Sequence, residues 1–127
     1  MATYVFDGTQ DLTVTASDTV VFDSAVSAAD LTVRESGSDV TMETGGATLT
    51  VSGTTLEGLV SANFDFQDSS YLQYGDGLSG TSLDQLGDAV ARGASTTDDQ
   101  IAGLGGNDTI TTGTGADKLF GNAGNDS

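Results

Sequence analysis

From residue 99 onward, aspartate returns at every ninth position: Asp99, Asp108, Asp117 and Asp126. Ile101, Ile110 and Leu119 follow two residues behind the first three, and Gly106, Gly115 and Gly124 stand two residues ahead of the last three. The units read GLGGNDTIT (103–111), TGTGADKLF (112–120) and GNAGNDS (121–127), led in by a degenerate ASTTDDQIA (94–102). A register held over three units leaves the chain little freedom. The first six positions of a unit make a tight loop, because Gly tolerates φ > 0 and close backbone approach. The next three make a very short strand with one inward apolar side chain.

This pattern, G-G-x-G-x-D-x-U-x, resembles the RTX (haemolysin-type) calcium-binding repeat. The resemblance implies a parallel β-roll in which two units complete one coil, so that loops two units apart stack on the same side. Carboxylates and loop carbonyls then converge on the gap between stacked loops. Such an oxygen-only set suits Ca²⁺ better than Mg²⁺, which wants fewer, stricter ligands and gives up water reluctantly. Loop 103–108 is expected to face loop 121–126 and share a cation through Asp108 and Asp126. Loop 94–99 is expected to face loop 112–117 through Asp99 and Asp117, with Asp98 assisting or substituting. The expected metal set is Asp99, Gly103, Gly105, Gly106, Asp108, Gly113, Gly115, Asp117, Gly121, Ala123, Gly124 and Asp126. About two calcium sites follow, one complete and one partial, since loop 94–99 has no Gly beyond Gly93 just before it.

Burial alone does not hold such a roll. Its core would be Ile101, Ile110 and Leu119, with Phe120 against a neighbour. Each offers about 1.5–3 kcal/mol on full burial, while ordering each residue of the loops costs about 1–2 kcal/mol of backbone entropy. Carboxylates crowded together add repulsion. The repeats are therefore expected to be disordered without calcium and to fold on binding it, so that binding free energy becomes folding free energy.

Composition narrows the remaining options. The 127 residues carry 19 acidic against 3 basic side chains, a formal charge of -16, and no His, Cys, Pro or Trp. Without His or Cys there is no Ser-His-Asp or Cys-His catalysis, no zincin-type zinc site and no disulfide framework. Only Arg34, Arg92 and Lys118 are available to meet phosphates, which argues against a nucleic-acid partner. Asp occurs 16 times and Glu three times. Asp is the turn acid, and a short carboxylate beside Gly is how hard cations are held. No apolar run approaches a membrane-spanning length, so no transmembrane segment is expected. The opening MATYVFDGTQ has neither the charged nor the apolar region of a secretory signal.

Residues 1–76 read differently. Leu12–Ala16, Leu31–Arg34, Val40–Glu43 and Ala47–Val51 alternate apolar or β-branched with polar residues, the mark of half-buried strands. Breaks fall at Asp7-Gly8, Ser36–Asp39, Gly45-Gly46 and Ser52-Gly53. Strands recurring every eight to ten residues or so predict an antiparallel module. Phe64 and Phe66 lie on one face as a core anchor. Between the zones, Leu83, Leu86 and Val90 sit at helical spacing, with Asp84 in the first turn and Gly93 beyond the end, which predicts a short helix at 82–91 weakened by Gly87. The expected organisation is all-β: an antiparallel module at 1–76, a joint at 77–93, and a calcium-bound parallel β-roll at 94–127.

The stretch from Asp18 through Val20-Val21-Phe22, Asp30-Leu31-Thr32-Val33, Asp39-Val40-Thr41-Met42 and Leu49-Thr50-Val51 to Phe64-Asp65-Phe66 resembles the haemolysin-type calcium-binding related module that neighbours RTX repeats. It departs from that pattern at Gln67-Asp68-Ser69. The two resemblances imply a protein passed through a type I secretion channel and folded outside the cell, where calcium is abundant. The last unit stops at Ser127, ahead of the strand its loop would feed, so a longer parent protein is expected. No catalytic constellation stands out, and the chain is read as a non-enzyme. Asp65 and Asp68 are weak nominees for a carboxylate pair, and Tyr71 and Tyr74 fit packing better than sugar stacking. The leading reading is a secreted structural protein that self-associates or attaches to a cell-surface assembly, such as a layer, filament or matrix. The alternative is a non-catalytic module of a larger secreted enzyme, toxin or adhesin.

Overall fold

A computed structural model describes residues 1–15, 17–75 and 87–127. Among these residues the chain is all-β, with single-turn 3₁₀ segments at Ala28–Asp30, Leu56–Gly58 and Ser61–Asn63 and no α-helix. The strands are β1 (Thr3–Val5), β2 (Gln10–Leu12), β3 (Thr19–Phe22), β4 (Thr32–Ser36), β5 (Asp39–Thr44), β6 (Ala47–Val51), β7 (Phe64–Phe66), β8 (Leu72–Tyr74), β9 (Ala89–Ala91), β10 (Gln100–Ala102), β11 (Thr109–Thr111) and β12 (Lys118–Phe120).

The antiparallel prediction for residues 1–76 holds only for β4, β5 and β6. Two-residue glycine turns join these strands. Gly45 and Gly46 both take positive φ (57° and 82°) between the paired residues Thr44 and Ala47, as the twist of a tight hairpin demands. Elsewhere the ladders are parallel: β1–β3–β7 form one sheet, and β2 adds to β6. Period-two alternation records which face of a strand is buried and is silent on the direction of its neighbour. Strand direction comes from the connections, and only short glycine turns enforce reversal.

Alternation itself is obeyed. Val20 and Phe22 of β3, Val40 and Met42 of β5, and Leu49 and Val51 of β6 are buried, and Val40 faces Val51 as Met42 faces Leu49. Phe66 stacks on Phe22 with ring centroids 4.5 Å apart, which makes it the anchor the sequence suggested. Phe64 is only partly buried beside the same core. The strand expected at Leu12–Ala16 is displaced: β2 ends at Leu12, while Leu12 and Val14 still pack against the core.

Of the predicted helix at 82–91, residues 82–86 lie outside the described residues. Its described C-terminal part is a strand, with Val90 buried and paired to Ile110. Three residues of alternating Ala-Val-Ala serve a strand as readily as a helical face, and pairing with β11 decides between them.

Two parallel ladders organise the C-terminal third. β8, β10 and β12 form one, β9 and β11 the other. Gln100 lies beside Lys118 and Ile101 beside Leu119, an offset of 18 residues, or two nonapeptides. The first ladder crosses the 76/94 division, because β8 belongs to the N-terminal zone and pairs with β10. Buried polar contacts reinforce that junction. Gln100 Nε2 donates to the carbonyls of Ala28 and Leu31, its Oε1 accepts from the Tyr74 hydroxyl, and Lys118 Nζ donates to Leu31 O, each at 2.8 Å. The core accordingly runs from Val20 through Leu72 and Tyr74 to Ala102.

The expected repeat core needs correction. Ile101 is fully buried, but Ile110 is only half-buried, and Leu119 and Phe120 are 47% and 41% exposed. Both exposed residues lie on β12, the outer edge of its ladder, where no further strand among the described residues covers them.

Candidate metal centre

Asp99, Asp108 and Asp117 each sit at the residue before a strand, and Asp126 holds the equivalent position in the last loop. Asp117 Oδ1 accepts the backbone N–H of Asp99 at 3.0 Å, and Asp126 Oδ1 accepts that of Asp108 at 3.0 Å, both across 18 residues. In the same way Asp108 Oδ1 accepts the N–H of Asp88 (2.8 Å) and Asp99 Oδ1 that of Tyr71 (2.9 Å). Carboxylates thus climb each ladder, one per coil, capping the strand start of the coil before. Such charge-assisted bonds are the stronger kind.

The preceding residue answers in the opposite sense. Asp98 Oδ1 accepts from the N–H of Ala116 (2.7 Å), and Asn107 Oδ1 from that of Asn125 (2.9 Å). Two adjacent positions therefore clamp each pair of loops from both sides, each clamp spanning 18 residues and recurring after nine. Asp98 has a defined part in this, and Asn107 and Asn125 join it though the ninefold aspartate pattern does not single them out. The signal that could have found them is the residue preceding each Asp, which is Asp, Asn, Ala and Asn in order.

Glycine is required where a loop closes over its own aspartate and where coils touch. A Cβ at Gly103 would collide with the Asp108 carboxylate, and one at Gly121 with that of Asp126. At Gly115 and Gly124, φ of 139° and 140° brings the backbone onto the carbonyls of Thr97 and Gly106, each 18 residues earlier. Gly113 meets the Ser95 carbonyl, while Gly105 bridges Ala123 in parallel pairing. The expected partners are thus together: loop 103–108 with 121–126, and loop 94–99 with 112–117. Gly106 takes φ of 105° within its loop.

The two buried repeat aspartates differ in their partners. Asp99 is fully buried, and every oxygen of its carboxylate is engaged. Oδ1 accepts from Tyr71 N–H and from Thr97 Oγ1 (3.0 Å), and Oδ2 accepts from Arg92 Nε at 3.2 Å. The Arg92 guanidinium lies 4.5 Å from the centroid of the Tyr71 ring. Asp108 is 1% exposed, and its Oδ2 has no hydrogen-bond partner among the described residues. Leaving a buried acceptor unmet costs about 1–3 kcal/mol, and more for a charged one. A cation at this oxygen removes that cost. No cluster of three or more acidic side chains occurs among the described residues, so a cation here would rest on a carboxylate pair and loop carbonyls. That donor set is oxygen alone, as calcium prefers.

Outside the repeats, Asp68 accepts from Ser27 Oγ and from Ser70 N–H and Oγ. Burial pushes its pKa up, but these donors outweigh burial and hold it below the ordinary carboxylate value. That is the wrong direction for a general acid. Asp65 is exposed on β7. Tyr74 is buried, and burial pushes its hydroxyl pKa well up.

Glycine-rich loops stacked at a two-unit offset, with aspartates at the strand starts, define a class of repeat built around loop-held cations. Residues 94–127 match the RTX calcium-binding nonapeptide repeat in four copies, so the chain carries RTX repeats there, the degenerate 94–102 unit included. Comparison with curated proteins and with solved structures gave no match.

Proposed function

We propose that residues 94–127 bind Ca²⁺ in the gap between loops 103–108 and 121–126, and that binding completes a two-faced parallel β-roll. Asp108 and Asp126 would supply carboxylates, and Gly103, Gly105, Gly106, Gly121, Ala123 and Gly124 the loop backbone. The observation that carries this reading is the buried, unpartnered Asp108 Oδ2. The bound ion would supply charge neutralisation and cross-linking of coils, with no chemistry of its own.

On this reading the chain is a non-enzymatic structural element, passed out of the cell by type I secretion and folded in the calcium-rich medium outside. Self-association is supported by two edge strands, β1 and β12, that expose large apolar side chains among the described residues. Val5 on β1 is 56% exposed, and Leu119 and Phe120 on β12 are the other large apolar residues exposed within strands. Edge strands that carry apolar side chains are templates for pairing with another copy, and a heterologous contact that does not close gives filaments.

Calcium titration followed by circular dichroism and calorimetry tests the binding. A saturable heat with a gain of β signal is expected, and chelation should reverse it. Unchanged spectra with no heat would overturn it. Electron microscopy with and without calcium tests the assembly, where calcium-dependent polymers are expected and monodisperse monomers in both would refute it.

A further inference from the structure

We propose that Arg92 is the resident counter-ion of Asp99, so that this buried aspartate is neutralised without calcium, whereas the buried Asp108 takes a divalent ion. The inference rests on the calcium reading above but divides two aspartates that the repeat pattern treats alike.

Arg92 is held on several sides. Its Nε meets Asp99 Oδ2 at 3.2 Å with Asp99 fully buried, its ring partner is Tyr71, and Nη2 points to Ser69 O at 3.5 Å. Arg92 itself stays 29% exposed, so its charge retains some hydration while it neutralises the carboxylate. Tyr71 and Ser69 belong to the turn ahead of β8, the coil before loop 94–99. The guanidinium therefore bridges two successive coils, as a loop-held metal would. With three donors already on Asp99, a divalent ion would have to displace one of them and sit beside a fixed positive charge. Asp108 has no comparable partner: of the three basic side chains in the sequence, Arg92 is on Asp99 and Lys118 on the Leu31 carbonyl, while Arg34 lies on β4, exposed. Asp99 has its own cation within the chain. Asp108 must import one.

The test is the number of ions bound by the full chain, read by flow dialysis with Ca²⁺ and by Tb³⁺ luminescence sensitised through tyrosine. Asp108→Asn should lose one ion, Asp99→Asn should lose none, and Arg92→Met should gain one. In Arg92→Met the new ion would lie beside Tyr71, so tyrosine-sensitised Tb³⁺ emission should rise and Tyr71→Phe should remove the increase. Loss of an ion in Asp99→Asn, or no gain in Arg92→Met, would overturn the assignment. Should Arg92→Met fail to fold, the double variant Arg92→Met/Asp99→Asn supplies a second reading. Its melting temperature should exceed that of Arg92→Met, and equal or lower stability would count against the pair. If the unaltered chain binds no calcium at all, the calcium reading fails alone. A double-mutant cycle on Arg92 and Asp99 in chelator then still decides the ion pair, through a coupling that is present or absent.

Discussion

The two ladders of the C-terminal third come from one repeat yet are stabilised differently. The β8–β10–β12 ladder is welded to the N-terminal zone through Gln100 and Lys118, and its buried carboxylate, Asp99, is neutralised by Arg92. The β9–β11 ladder has no such anchor on its strands among the described residues, and its buried carboxylate, Asp108, keeps one oxygen without a donor. Identical spacing thus yields one buried carboxylate met on both oxygens and another with one oxygen unmet. A repeat pattern specifies where carboxylates stack; the neighbours of each stack decide how its charge is met.

The largest effect that would break this contrast is at Asp108. Asp108→Asn should weaken calcium binding by at least about a hundredfold. It should also raise the melting temperature of the metal-free protein, because it removes a buried, half-met charge. Asp99→Asn should lower that temperature instead, since it strands Arg92. Melts in chelator measure both, and a shift of the same sign in the two variants would end the comparison.

Gln100→Leu sharpens it from the other side. The Tyr74 hydroxyl loses its acceptor, at a cost of about 1–3 kcal/mol where it is left unmet, while the Leu31 carbonyl keeps Lys118 Nζ and the Ala28 carbonyl keeps the Leu31 N–H. The loss should appear in urea unfolding with calcium present or absent, and a calcium-dependent loss would place Gln100 on the wrong ladder. Gly103→Ala, which drives a methyl into the Asp108 carboxylate, should cost about 1–3 kcal/mol. Gly93→Ala, whose nearest contact is Thr111 Cγ2 at 3.3 Å, should cost far less in the same assay.

Acid should act on the N-terminal zone, whose ladder reuses the aspartate cap. Asp18 accepts from Thr15 N–H and Oγ1 and from Ala2 N–H, the residue beside it in the β1–β3 register. These donors hold its pKa below 3.8, as Ser27 and Ser70 do for Asp68. A depressed folded pKa contributes stability that is full above the unfolded value and lost as pH falls through the folded one. Stability should therefore decline below about pH 4 and flatten in Asp18→Asn, as followed by melts across pH. The smallest expected effect on stability is at Leu119 and Phe120. Substituting Ser should change the melting temperature little, because both are already exposed, while light scattering should show reduced self-association.

Much of the site is legible from the chain alone. Nine-residue spacing of Asp and Gly gives tight loops and three-residue strands, and the RTX resemblance it carries implies the two-unit offset that pairs 103–108 with 121–126 and 94–99 with 112–117. These are local consequences: glycine conformations, a carboxylate beside a strand start, and a period too regular to slip. Alternation in β3, β5 and β6 likewise reveals which side chains turn inward, because burial of one face is written residue by residue. Strand direction is not so written, and β1–β3–β7 became parallel through connections whose paths depend on the whole fold. Nor does spacing say that Ala89–Ala91 pairs as a strand, that Gln100 reaches Ala28 across 72 residues, or that Arg92 meets Asp99. Those outcomes turn on which distant groups arrive within hydrogen-bonding reach, and electrostatic compensation of a buried charge is settled only when its surroundings are assembled.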